Sequence, residues 1–177
     1  MKLDANLIPK YTSQLPKLNV FSPQIIRYPN TNYVISHNYT ITASRFYQQM
    51  LPNEYPKTEL FGYGGKVSYK YKCYKEEYIY TSVPGPLIVA TRGIPIHIKW
   101  INNLYGNHLL AVDPTIHWAD PNNIGIINPQ DVPPFPPGLG QAQNPIPIVT
   151  HLHGGEVSSV FDGHPEAWFT ANEENIG

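Results

Sequence analysis

Cysteine is almost absent from this chain of 177 residues; Cys73 is the only one. One thiol closes no internal disulfide and builds no multi-cysteine zinc site, so neither kind of staple is expected. Charge is scarce as well, at 14% of residues, and 12 Lys and Arg against 13 Asp and Glu leave a formal net charge of −1. No block of like charge stands out, which gives no electrostatic footprint for nucleic acid or a membrane surface. No stretch approaches the ~18 consecutive apolar residues of a spanning helix. The opening MKLDANLIPKYTSQLPKL also lacks the continuous apolar run of an export signal. The expectation is a chain with neither a membrane span nor standard export, in which Asn38-Tyr39-Thr40 is an ordinary strand triplet and not a glycosylation site.

Proline and tyrosine, by contrast, are plentiful, with 19 and 13 copies. Together with β-branched residues they suit turns and strands better than helices, so the class expected is all-β. The length suffices for one well-cored domain. Residues 1–30 are Pro-punctuated and aperiodic and read as an N-terminal arm. From Tyr33 to Ser44 apolar and polar residues alternate with the period of a half-buried strand. His37 falls in the apolar set, as a hydrogen-bonded core histidine would. Glu59 to Tyr63 reads as a second strand ending in a turn at GYGG. Residues 66–82 read as an added hairpin about Lys75-Glu76-Glu77. Its interleaved Tyr and Lys could stack on bases, but the balanced overall charge favours a solvated hairpin with one aromatic side packed down. Ile94, Ile96, Ile98 and Trp100 line one face of a further strand, with Pro95 at an edge. Residues 121–145 form a Pro-rich loop, and Pro145 to Leu152 resumes as a strand.

That last strand opens the stretch with the most chemistry, VTHLHGGEVSSVFDGHPEAWF, residues 149–169. Side chains alternate along a strand, so His151 and His153 should face one space with Leu152 buried behind them. Two imidazoles there suit zinc, copper, iron or nickel, although two histidines can also simply share a strand. Gly154 and Gly155 remove bulk where a ligand or water would approach. Asp162 can orient the imidazoles, hold water or pass protons, or with Gly163 it can merely make a turn. A cupin-type metal site is disfavoured, because Glu156 follows His153 too closely.

THLHGGEVSSVFDGHPEAWF resembles the first copper-binding segment of the multicopper oxidases, most of all the bacterial spore-coat laccases and bilirubin oxidases. TELFGYGG, VPGPLIVATRG, IPIHIKWINNL and HLLAVDPTIHWAD precede it in the order of that family's N-terminal cupredoxin-like domain. The resemblance implies a Greek-key β-sandwich over residues 31–177, incomplete at its C-terminal side. It implies that His151 is a ligand of the type 2 copper and His153 of one type 3 copper, in the cluster that reduces dioxygen to water. It assigns Asp162 to proton delivery. His164 stands where the family would have Tyr and receives no copper role, while His97, His108 and His117 match structural positions. The family's second histidine pair, its other domains and its type 1 copper site are not in this sequence, and Cys73 has no neighbouring histidine with which to replace the blue-copper thiolate.

The expected function is therefore the N-terminal part of a copper-dependent, laccase-type oxidase acting on phenol-like molecules and dioxygen, inactive by itself. Self-association, or a complementing chain, is expected at open sheet edges, and the location is cytoplasm or spore coat if the source is bacterial. The alternative is a non-catalytic cupredoxin-like assembly module that binds copper weakly or not at all.

Overall fold

The computed structural model of the chain describes residues 3–71, 74–110, 112–131 and 145–171. Five strands carry it: β1 Gln24–Arg27, β2 Val34–Gln48, β3 Thr58–Tyr71, β4 Tyr74–Ser82 and β5 Ile96–Asn103. They form one sheet in the order β1-β2-β3-β4, with β5 also pairing with β2. The β1–β2, β2–β3 and β3–β4 pairs are antiparallel. The only other regular elements among the described residues are short 3-10 turns. The class is all-β, as expected, and the open antiparallel sheet accords with a cupredoxin-like sandwich. The chain divides into two compact units, residues 1–99 and 100–177, with the boundary inside β5.

In the first unit the alternation of β2 becomes burial from Tyr39 onward, where Tyr39, Ile41 and Ala43 are all buried. Before that point the expected face is not kept. Ile35 is exposed and Ser36 is buried, with its hydroxyl donating to Asn38 Oδ1 at 2.8 Å. His37 is half-buried, and its ring Nδ1 is buried without a hydrogen-bond partner, contrary to the expected hydrogen-bonded histidine. Within the stretch read as an arm, Gln24–Arg27 form β1. Just ahead of it Phe21 bridges Val67, and Ser22 N donates to Lys66 O at 2.8 Å. β2 pairs with β3 only as far as Gly65, so residues 20–22 take up the next positions along β3. Phe21 thereby reaches the core, edge-to-face with Tyr39 at 6.5 Å.

Two expectations for this unit need correction. GYGG is no turn: β3 runs through it without interruption to Tyr71. Close approach explains the glycines, since a Cβ at Gly65 would lie 2.7 Å from Thr40 O and 3.0 Å from the Phe21 ring. The turn expected about Lys75-Glu76-Glu77 is not there either: these residues lie in β4, paired with Lys70, Tyr69 and Ser68 of β3. Cys73 and residues 132–144 of the Pro-rich loop lie outside the described residues.

The second unit has little regular structure and depends on specific ties. Asn102, near the end of β5, is buried, and its amide nitrogen donates to Ile146 O at 2.8 Å and to Phe169 O at 2.9 Å. Its amide oxygen accepts from Leu104 N at 3.0 Å. One side chain thus joins three chain segments around Leu104, Ile146 and Trp168, all buried. Stranding a buried polar group costs about 1–3 kcal/mol. Asn102→Ala should therefore lower the unfolding midpoint in urea by an amount equivalent to about 2–4 kcal/mol, measured by far-UV circular dichroism, with the slope unchanged. A midpoint shift below the size of an ordinary surface substitution would show that these segments are held by other means.

Candidate metal centre

The two histidines do come together, but not by the expected strand. Residues 145–152 make only two isolated bridges, Ile148 with Phe169 and His151 with Asp162, both antiparallel. After His151 the chain turns at once, and Gly155 N donates to Leu152 O at 3.1 Å across His153 and Gly154. Gly154 has φ +82°, the left-handed conformation that the third position of a type II turn requires. His153 is thus a turn residue. Leu152, expected to be buried, is 62% exposed. The turn nevertheless brings the rings side by side, with centroids 5.6 Å apart and planes tilted by 47°.

Asp162 reaches the same place from the other direction. A 3-10 turn, Ser159–Phe161, ends on it, with Asp162 N donating to Ser159 O at 3.3 Å. Its Oδ1 lies 3.2 Å from His151 Nδ1, and both side chains are about half exposed. Gly163 follows with φ +75°, so the turn reading of Asp162-Gly163 and the orienting reading hold together. A Cβ at Gly163 would lie 3.1 Å from His151 Cβ and 3.2 Å from its Nδ1. Backbone without a side chain therefore packs against the His151 imidazole while the neighbouring carboxylate engages its Nδ1. With Nδ1 engaged, Nε2 is the atom His151 offers to a metal.

His151, His153 and Asp162 are thus gathered at one exposed spot. The chemistry of two adjacent imidazoles fits copper, but as part of a coordination shell. Among the described residues no group of three or more His, Cys, Asp or Glu side chains is arranged to hold a metal ion.

The other histidines lie elsewhere. His97 is exposed on β5, and His108 is half-buried, which pushes its imidazole below the ordinary 6.5. His164 Nδ1 accepts from Glu166 N at 3.2 Å. His117 Nε2 lies 2.5 Å from Glu166 Oε1. Neither this His117–Glu166 contact nor the role of Gly163 was expected from the sequence. A glycine after an aspartate carries a turn signal that could have pointed to the second. The first joins residues 49 positions apart and leaves no local signature.

No family model matches the chain. It is similar to a laccase of Bacillus subtilis, with 31% identity over 140 residues, 78% of this chain and 20% of that protein. It is 33% identical over 122 residues to the multicopper oxidase LPR1 of Arabidopsis thaliana, which is 69% of this chain and 16% of that one. A laccase of Bacillus stratosphericus is 29% identical over 169 residues, or 95% and 24%. The chain therefore spans about a fifth of the length of these curated relatives.

Two outcomes follow from the geometry. Burial of His108 depresses its pKa below 6.5, so the folded state holds this ring neutral more firmly than the unfolded chain does. Its contribution to stability is complete above the unfolded value and is lost as pH falls from there through the folded one. The slope of stability against pH in that window should flatten in His108→Gln, as read from urea midpoints at several pH values. At Gly163, alanine must accept a left-handed φ and displace the His151 ring. Gly163→Ala should cost about 1–2 kcal/mol and shift the His151 ring signals in histidine-selective NMR, and unmoved signals would contradict the packing described.

Proposed function

Because the chain belongs to the multicopper oxidase family, we propose that it supplies the first histidine pair of a copper cluster in a laccase-type oxidase. The observation that carries this is the convergence of His151 and His153, ring centroids 5.6 Å apart, with Asp162 against His151 Nδ1. In this reading His151 serves the type 2 copper and His153 one type 3 copper. The cluster they help hold supplies the reduction of dioxygen to water, with electrons drawn from phenol-like molecules. The residues of this chain do three things toward that chemistry. The two imidazoles offer nitrogen donors, Asp162 fixes the His151 ring and can exchange a proton with water at its exposed carboxylate, and Gly154, with nothing within 4 Å of where a Cβ would stand, leaves the approach open, whereas Gly155 is packed by the Leu152 side chain.

Two imidazoles are an incomplete shell, so copper(II) should bind the full chain weakly, at one equivalent. Protons compete with metal for imidazole nitrogen, so uptake should weaken as the solution is acidified. Titration calorimetry on the parent and on a His151→Ala, His153→Ala double variant tests this. Loss of the one-equivalent site in the double variant is the expected result. Equal uptake by both would sink the assignment and favour the non-catalytic assembly module.

A further inference from the structure

The two bridges in the second unit are out of step. Between Ile148–Phe169 and His151–Asp162 one segment has two residues, 149–150, and the other has six, 163–168. The surplus is taken up by a turn in which Ala167 N donates to His164 O at 2.9 Å. Asp162 therefore sits at the foot of a bulge, with its backbone position set on one side by the Ser159–Phe161 turn and on the other by whatever holds the bulge.

Glu166, inside that bulge, is held at both ends. Its N–H donates to His164 Nδ1, and its carboxylate accepts from His117 Nε2–H at 2.5 Å. An imidazole N–H donates to a carboxylate whether the ring is neutral or charged, so the contact does not depend on the charge of His117. His117 in turn rises from a loop with a closed base. Ile127 N donates to Pro114 O at 2.9 Å, and Pro114 is fully buried. Asp113 Oδ1 accepts from Thr115 N at 2.9 Å and from its hydroxyl at 2.6 Å. Further along, Asp120 accepts from Ile124 N at 2.9 Å and Gly125 N at 2.6 Å. The loop that carries His117 is thus self-braced, and Glu166 ties the bulge to the exposed ring it presents.

We infer that His117 and Glu166 are positioning residues, which anchor the 163–168 bulge so that the Asp162 carboxylate stays on His151 Nδ1 and His151 Nε2 stays aimed outward. Both carboxylate–imidazole pairs are exposed and each is weak in isolation, so the Asp162–His151 contact depends on the backbone beneath it being held at several points together: the Ser159–Phe161 turn, the Ala167–His164 turn, and Glu166 through both its N–H and its carboxylate. Cutting the tie at Glu166 releases the bulge, and with it the group that selects the His151 tautomer. The inference rests on the reading of His151 as a copper ligand for its consequence, but not for its geometry.

The test uses the full chain and two separate readouts. Long-range proton–nitrogen NMR of the histidine rings, recorded without metal, reports the tautomer of His151. The parent should show the Nδ1–H form, and Asp162→Ala fixes the signal of a ring that has lost its acceptor. Glu166→Ala and His117→Ala should each move His151 toward that signal, with amide spectra otherwise like the parent. Glu166→Gln, which keeps an oxygen acceptor, should restore the parent form. In the Asp162→Ala background Glu166→Ala should add nothing. A His151 tautomer unchanged in Glu166→Ala and His117→Ala overturns the inference. The second readout is copper(II) affinity, expected to weaken by about tenfold or less in Glu166→Ala, at the low end of the effect of groups that orient metal ligands. If the tautomer shifts while copper uptake ignores both Glu166 and the histidine pair, the positioning role stands and the copper reading fails.

Discussion

The arrangement of the second unit depends on the need to satisfy buried backbone groups where no sheet does so. Strands β1 to β4 pair along their length, whereas residues 145–171 make two isolated bridges and a series of turns. A buried carbonyl without a ladder partner must find a donor elsewhere, and the Asn102 amide provides one to Ile146, while its second N–H adds to the Phe169 carbonyl that already accepts from Ile148 N at 3.0 Å. These two carbonyls flank the segments that carry His151 and Asp162. Domains are stable by only about 5–15 kcal/mol, so a single amide on which three segments converge is a large share of what keeps the histidine pair in register.

The interactions at the pair itself are of another kind. His151, His153 and Asp162 are exposed, and exposed ion pairs contribute about 0–1 kcal/mol. Their value lies in orientation. A carboxylate on Nδ1 leaves Nε2 as the outward donor, and such outer partners change metal affinity by about 10–100-fold when removed. Stability is therefore concentrated at Asn102, Trp168 and Ile146, while the chemistry is concentrated at surface groups that stability alone would not retain. Gly163 connects the two, because its backbone packs on the His151 ring where an added Cβ would press to 3.1–3.3 Å.

Much of this was legible in the sequence where the signal is local. The alternation from Tyr39 to Ala43 and along β5 appears as burial because a pleated strand enforces a period of two. The His-x-His pair and its following Asp are expected to lie together, and they do, but not through the expected strand. Two residues spaced to share a strand face can also be brought together by a type II turn, and the Gly154 that permits the turn reads equally well as open space for a ligand. GYGG reads as a turn because glycine serves both turns and close approaches. Only the neighbours, Thr40 O and Phe21, decide between them, and they lie far off in the chain. The Asn102 tie and the His117–Glu166 contact span 44 to 67 and 49 positions and have no periodicity to reveal them.

The central proposal is that His151 and His153 converge on one copper centre, so that a single copper(II) ion given to this chain by itself is bound by both rings, although in the cluster each serves a different copper. Pulsed electron paramagnetic resonance of the full chain loaded with one equivalent of copper(II) tests it most directly, because the non-coordinating nitrogen of each bound imidazole modulates the echo. The account predicts modulation from two imidazoles in the parent and from one in His153→Ala. A parent spectrum with a single imidazole, or one that His153→Ala leaves unchanged, would contradict it.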